Sequence, residues 1–169
     1  MRRRESTKDP RVSGYSRRGF SLIELLVVVA VILIIAAIAI PNYIKSKMRA
    51  NEASAVESLR NISTAEVLYS SLYGIGFSDS LVKLGGGGTV VDQDHAGLID
   101  EVLAAGLKSG YLFTFTPLAT DSQGHVLTYS VIADPQVPGN SGQRHFYADQ
   151  TMVIRSNVSA TAGPSDPPA

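Results

Sequence analysis

The chain has 169 residues with 15 basic side chains, 15 acidic side chains and no cysteine. Without cysteine it cannot form disulfides, so packing and contacts between chains must stabilise it. The zero net charge conceals an asymmetry. Residues 1–19 hold seven basic and two acidic side chains (+5), whereas residues 20–169 hold eight and thirteen (−5). The acidic larger part argues against strong generic affinity for nucleic acid, although a local basic patch is compatible with it.

Residues 20–40 form an apolar run with a single charged side chain, Glu24. As a helix these 21 residues extend about 31 Å, close to the hydrocarbon thickness of a bilayer, so they predict a membrane-spanning helix. Seven lysines and arginines precede the span and three follow it shortly, at Lys45, Lys47 and Arg49. The positive-inside rule therefore keeps the amino terminus in the cytoplasm and sends the rest outward.

Glu24 is the unusual feature of this span, because a charged side chain inside a membrane costs about 2.5 to 3.5 kcal/mol. The simplest partner for it is a positive charge supplied by a neighbouring copy. Three ordinary interpretations compete. A secretory signal peptide would be cut near residues 37–39, Ala-Ile-Ala, and a plain anchor would leave Glu24 unpaired. A buried helix of a soluble protein is disfavoured, because valine, isoleucine, leucine and alanine occupy every face.

Residues 17–26, Arg-Arg-Gly-Phe-Ser-Leu-Ile-Glu-Leu-Leu, resemble the class III signal of type IV pilins and type II secretion pseudopilins. The resemblance implies a prepilin peptidase that cuts between Gly19 and Phe20 and then N-methylates Phe20. Glycine before the cut lets the backbone enter a protease cleft without side-chain obstruction. The resemblance also implies that Glu24 neutralises the terminal amine of an adjacent subunit. That pair would specify register more than it adds net stability, because desolvation offsets much of its attraction.

The same resemblance implies a protein that moves from the membrane into a filament. The precursor would lie in the bacterial inner membrane, and the subunit would then join an extracellular pilus or a periplasmic pseudopilus. Its partners would be other copies of itself in a helical filament, the prepilin peptidase, an inner-membrane assembly platform, an assembly ATPase and a secretin. Neither a cofactor nor a bound metal is expected.

Pro41 follows the span, and a helical pattern resumes from residue 42 to Tyr73. Proline inside a helix removes one hydrogen bond and clashes with the preceding turn, which predicts a kink or local unwinding near residues 37–41. Apolar residues at helical spacing predict a face that lies against a globular domain. They are Ala55, Val56, Leu59, Ile62, Ala65, Leu68, Tyr69, Leu72 and Tyr73. The polar residues predicted on the more solvent-exposed sides of the helix are Glu52, Glu57, Arg60, Asn61 and Glu66.

Glycines interrupt the pattern between Gly74 and Asp94. The run at residues 85–88 lacks the lysine of a phosphate-binding loop and is interpreted as a linker. A short helix is predicted from Asp94, which would cap it, to Gly106 or Gly110. Its predicted apolar face comprises Leu98, Ile99, Val102, Leu103 and Leu107. The oxygen-rich stretches 92–94 and 121–124 form no full calcium loop and are interpreted as cap and turn residues.

Four strands are predicted in the last third, at residues 111–116, 125–133, 144–148 and 151–155. Their close spacing favours an antiparallel sheet packed on the outer half of a helix of about fifty residues. The predicted fold class is therefore α+β, with the pilin fold implied by the resemblance. The predicted domains are a cleaved leader (1–19), a membrane and filament-core helix (20–40), a helix with an α+β head (41–155) and a flexible tail (156–169).

Catalysis has little support, because His95, His125 and His145 are scattered and no nucleophile or metal-ligand spacing accompanies them. The favoured function is a type IV pilus subunit, since a large sheet and a glycine-rich loop offer a variable outer surface. A major pseudopilin of type II secretion or DNA uptake is the alternative. A membrane-tethered enzyme is the distant one.

Overall fold

The computed structural model describes residues 19–88 and 90–169, so most of the predicted leader lies outside the described part. Within these residues the helices are α1 (Leu22–Tyr73), α2 (Leu81–Leu84) and α3 (Glu101–Ala104). The strands are β1 (Leu107–Lys108), β2 (Tyr111–Thr120), β3 (Val126–Pro135), β4 (His145–Asp149) and β5 (Arg155–Asn157). One long helix with a small antiparallel sheet confirms the predicted α+β class.

Helix α1 has 52 residues and ends at Tyr73, as predicted. Gly74 follows with a φ of 67°, a left-handed conformation that stops helices. Pro41 lies inside α1, so the helix does not end at the proline; the kink itself stays a prediction. Chain contacts divide the described residues into two compact units, one that ends at Ile40 and one from Pro41 to Ala169, the second of which is called the head below.

The core of the head forms between α1 and one face of the sheet. On α1 the buried residues include Ala55, Leu59, Ile62, Ala65 and Tyr69, which confirms most of the predicted apolar face. From the sheet, alternate residues point into the same core: Tyr111, Phe113, Tyr129, Val131, Ala133, Phe146 and Ala148. This alternation is the expected pattern of strands with one buried face.

Four assignments on α1 were wrong. Leu68 and Leu72, predicted to widen the apolar face, are 47% and 66% exposed. Glu52 and Glu66, predicted on the wetter sides, are buried at 8% and 0% exposure. Both glutamates are buried because each carboxylate accepts hydrogen bonds from a loop of the head.

The five strands of the described residues follow chain order in the sheet, and each pairs antiparallel with the next. Strand β2 continues through Pro117, past the predicted strand end at residue 116, because the register shifts directly after the proline and accommodates a residue without an N–H. The fourth predicted strand was placed too early, since β5 begins at Arg155. The two-residue strand β1 was not predicted.

The predicted helix cap at Asp94 was also wrong. The Asp92 carboxylate accepts hydrogen bonds from the N–H groups of Asp94 and His95, at 3.0 and 2.9 Å, and forms a turn there. Helix α3 instead begins at Glu101, where the side chain of Asp100 accepts from Leu103 N. Helix α2, whose Leu81 and Leu84 are buried, was not predicted.

The predicted loose tail at residues 156–169 folds back on the head instead. Ser156 N donates to Pro167 O at 3.0 Å, and Ala169 N donates to Ile154 O at 2.9 Å. Asp166 accepts from Asn157 Nδ2 and from Gly163 N. These bonds occupy the free edge of β5, so a polar, proline-rich composition did not prevent ordering. The head therefore includes residues 156–169.

Gly76 joins the end of α1 to the sheet, and we expect Gly76→Ala to destabilise the head by at least about 2 kcal/mol. Its φ is 82°, and an added Cβ would overlap the carbonyl oxygen of Val126. That oxygen cannot retreat freely, because it accepts from Phe77 N at 2.8 Å. Denaturant unfolding of the head fragment that begins at residue 42 measures the loss.

Gly74→Ala is the matched control. Gly74 also has a left-handed φ, of 67°, but an added Cβ there would meet nothing within 4 Å. This variant should lose only the conformational contribution, about 1 kcal/mol. Equal losses in the two variants would mean that the contact with Val126 has no energetic effect.

Candidate assembly site

The predicted site residues Gly19, Phe20 and Glu24 lie at the beginning of the long helix. Phe20 is 72% exposed. Glu24 lies in the first turn of α1, within the turn closed by the hydrogen bond that Leu25 N donates to Ser21 O at 3.2 Å. An acid in the first turn interacts favourably with the positive end of the helix dipole. The position of Glu24 is therefore compatible with a stable helix start.

Gly19 has no structural reason to be glycine among the described residues. Its φ is not left-handed, and an added Cβ would meet no described atom within 4 Å. The described fold therefore does not require glycine at this position. Glycine also leaves the backbone open to close approach by another protein.

The carboxylate of Glu24 is exposed, and no lysine, arginine or histidine of residues 19–88 and 90–169 lies within 4 Å of it. The surrounding apolar side chains are exposed as well, between 45% and 81% for the large ones from Leu22 to Ile40. An 18-residue window of α1 has a mean hydropathy of 3.3. A surface this apolar requires lipid or the apolar surfaces of other chains.

A second set of polar contacts, which was not predicted, joins the segment at residues 141–144 to α1. Glu52 Oε1 accepts from Gln143 N at 2.9 Å and from Arg144 N at 3.2 Å. Its other oxygen, Oε2, accepts from Arg144 Nε at 2.9 Å. Next to it, Asn51 Nδ2 donates to Ser141 O at 2.7 Å. These four bonds, called the clamp below, join two segments about ninety residues apart in the chain.

Hydrogen bonding controls the ionisation of Glu52. Burial by itself would favour the neutral acid, but the N–H of Gln143 and the side chain and N–H of Arg144 stabilise the anion more. The pKa of Glu52 is accordingly lowered from its ordinary value. The clamp contains a carboxylate that stays ionised in neutral solution, so its bonds are charge-assisted.

Glu66 is the second buried acid of α1. Its carboxylate accepts from Ser78 N at 2.8 Å and from Ser78 Oγ at 2.5 Å, so it fixes the loop between α1 and α2. Burial raises the pKa of Glu66, and the bonds from Ser78 only partly oppose this. Both glutamates fall on the three-four spacing of the apolar face, which is the sequence signal that would have predicted their burial.

The two acidic stretches considered for calcium use their carboxylates within the chain. Asp92 closes the turn described above, and Asp121 Oδ1 accepts from Gln123 N and His125 N at 2.8 and 2.9 Å. Asp92 and Asp121 therefore form turns, whereas the cap predicted at Asp94 is formed by Asp100 instead. The pKa of Asp121 is lowered, chiefly by the hydrogen bond from the backbone of His125.

Comparisons with known proteins give the family context of the site. The family model described as "Prokaryotic N-terminal methylation motif" matches residues 15–40. A type IV major pilin protein, PilA, of Myxococcus xanthus is 50% identical over 58 residues, which cover 33% of this chain and 26% of that protein. A fimbrial protein of Pseudomonas aeruginosa is 33% identical over 111 residues, which cover 56% of this chain and 72% of that protein.

A third relative belongs to a different system. The type II secretion system core protein G of Pectobacterium carotovorum is 33% identical over 57 residues, which cover 34% of this chain and 36% of that protein. The chain thus spans about a quarter of the length of the Myxococcus relative and nearly three quarters of the Pseudomonas relative.

Proposed function

We propose that this chain, which belongs to the family of type IV pilins and type II secretion pseudopilins, is a structural subunit of an extracellular type IV pilus. The family assignment rests on the similarity to the fimbrial protein, which covers 56% of this chain and 72% of that protein. The relatives are named as filament and secretion proteins and not as enzymes, so the chain has a structural role.

The proposed processing is cleavage between Gly19 and Phe20 followed by methylation of the Phe20 amine. Two observations support it. The methylation motif covers this junction, and Gly19 is a glycine that the described fold does not require. The proposed enzyme is a prepilin peptidase that acts at the membrane, before the subunit leaves it.

The single observation that carries the proposed assembly is the exposure of one acid within an otherwise apolar helix surface. The apolar side chains have no cover within the described chain, and Glu24 has no cation beside it there. We propose that both needs are met by copies of the same chain, with the Glu24 carboxylate beside the methylated amine of Phe20 on a neighbour. The assembly platform, the ATPase and the secretin are the proposed partners that build and export this polymer.

A pseudopilus subunit is the alternative, because the type II secretion protein G matches the chain at the same identity as the fimbrial protein, though over fewer residues. Electron microscopy of a strain that lacks this protein distinguishes the two. Loss of long surface fibres supports the pilus. Intact fibres with impaired protein secretion would support the pseudopilus.

We expect Gly19→Val to leave the precursor uncleaved, because a branched side chain obstructs the extended backbone in a protease cleft. Mass spectrometry of the purified protein checks the result: the natural chain should begin at methylated Phe20, and the variant should retain residues 1–19. Gly87→Val is the matched control, since Gly87 is exposed and an added Cβ would meet nothing described within 4 Å. A natural chain that begins at Met1 or Ile40 would contradict the proposed processing.

A further inference from the structure

Three basic residues, Lys45, Lys47 and Arg49, follow the membrane span and are called the basic collar here. All three are exposed, and residues 41–51 contain no acid. Within the described residues, no carboxylate lies within 4 Å of their charged groups. By contrast, Arg60, Lys83, Lys108 and Arg144 each have an acidic partner. Arg155 donates to the backbone oxygen of Asp166. The collar is therefore the part of the described chain where positive charge is concentrated and unneutralised.

The location of the collar is unfavourable for membrane topology. Basic residues at the outward end of a span oppose the orientation that the seven basic residues before it establish. Lys45 comes five residues after Ile40 in the same helix, a distance of about 7.5 Å. The headgroup layer on each side of a bilayer is about 5 to 8 Å thick. The collar thus begins where the phosphates of the outward leaflet lie, with the 68%-exposed Tyr43 just before it.

A groove lies between the collar and the segment at residues 143–144. It has a volume of about 470 Å³, and Lys45, Arg49 and Arg144 line it together with the apolar Met48 and Val158. Its acid, Glu52, is already bound by the clamp, and its side chain is only 10% exposed. The groove therefore contains three basic side chains, and its carboxylate, Glu52, already accepts hydrogen bonds from Gln143 and Arg144.

The two Nη groups of Arg144 are available as hydrogen-bond donors in this groove. Its Nε atom binds Glu52, and no described residue accepts from its two Nη atoms. A guanidinium held by one side and open at the other suits the tetrahedral oxygens of a phosphate. Lys45 and Arg49 are one helical turn apart on α1, so both side chains reach the same anion.

We propose that this groove binds the headgroup of an anionic phospholipid of the outward leaflet while the subunit is still in the membrane. The inference rests on the membrane-anchored state in the proposed function. Charge complementarity and depth favour the lipid over an acidic side chain of a second copy, and the apolar walls fit the glycerol backbone. The bound lipid holds the head at the membrane surface until the subunit is extracted.

The test uses the full chain in neutral detergent micelles, titrated with short-chain phosphatidylglycerol while amide signals are followed by two-dimensional NMR. The amides of Lys45, Arg49, Gln143 and Arg144 should shift saturably with phosphatidylglycerol. Phosphatidylcholine and inorganic phosphate should produce no comparable saturation. The double variant K45Q/R49Q should weaken the apparent affinity about 25-fold, or about fivefold for each charge removed.

The matched control is R60Q/K108Q, which removes one arginine and one lysine of the head away from the groove. It should bind phosphatidylglycerol like the natural chain. Equal responses to both lipids, or equal affinity in K45Q/R49Q, would overturn the proposal. So would a collar variant that binds lipid normally but assembles poorly, since that result assigns the collar to contacts between copies. The proposed function fails separately, through an amino terminus other than Phe20 or through absence of the natural chain from the membrane fraction.

Discussion

Glu24→Ala should leave membrane insertion intact and reduce the yield of filaments by at least about tenfold. Within the described chain Glu24 makes no ion pair, so the fold loses only its interaction with the helix dipole, about 0.3 to 1 kcal/mol. Insertion should improve slightly, because a charge inside the bilayer costs about 2.5 to 3.5 kcal/mol. Assembly should suffer because the amine of Phe20 on the neighbour loses its counterion. An unpaired buried charge costs about 3 to 5 kcal/mol.

Two further variants separate charge from shape at this position. Glu24→Gln keeps the size and a hydrogen-bond acceptor but lacks the charge, so it should assemble nearly as poorly as Glu24→Ala. Ser21→Ala changes a neighbouring polar side chain without changing charge and should assemble normally. Quantification of sheared filaments and of membrane-bound subunit from the same cells gives both values. An unchanged filament yield for Glu24→Ala would end the pairing hypothesis.

Glu52→Ala should destabilise the head by about 3 kcal/mol, the largest effect that we expect from a polar residue of the head. The variant removes the acceptor of three bonds and leaves Gln143 N and Arg144 N without their partner. Among the described residues, the hydrogen bond from Asn51 to Ser141 would then remain between α1 and the segment at 141–144. Denaturant unfolding of the head fragment that begins at residue 42 gives the change in free energy of unfolding.

Glu57→Ala is the control for Glu52→Ala. Glu57 lies on the same helix and pairs with Arg60 at 3.6 Å, but both side chains are more than 60% exposed. Exposed pairs contribute little, so this variant should change stability by less than about 0.5 kcal/mol. A similar loss in both variants would show that the buried bonds of Glu52 contribute no more than a surface pair.

Acid should weaken the clamp in a defined direction. Because the folded pKa of Glu52 lies below its ordinary value of 4.5, the unfolded chain takes up this proton first as the pH falls. The contribution of Glu52 is therefore complete above pH 4.5 and declines as the pH falls through the lowered folded pKa. Burial raises the pKa of Glu66, so protonation of Glu66 as the pH falls favours the folded state. The difference between the natural head and Glu52→Gln, measured across acidic pH, isolates the part that belongs to Glu52.

Patterns within short stretches predicted much of this architecture. The apolar run, the helix end at Tyr73 and the antiparallel strands depend on composition and periodicity, which are local properties. The short elements were placed less well. Asp94 was predicted to cap the helix, but its N–H donates to the carboxylate of Asp92 in a turn. Asp100 caps the helix instead. Which of several nearby aspartates caps a helix depends on how the loop packs, and spacing alone does not show it.

The sequence by itself determined the apolar span, its lone acid, the methylation motif and the α+β class, because each follows from the order and spacing of neighbouring residues. Only the tertiary structure decided that Glu52 and Glu66 are buried and that residues 156–169 return to β5. Burial of an acid requires donors from elsewhere in the chain, and Arg144 lies 92 residues from Glu52. Such partners become visible only when the fold brings distant segments together.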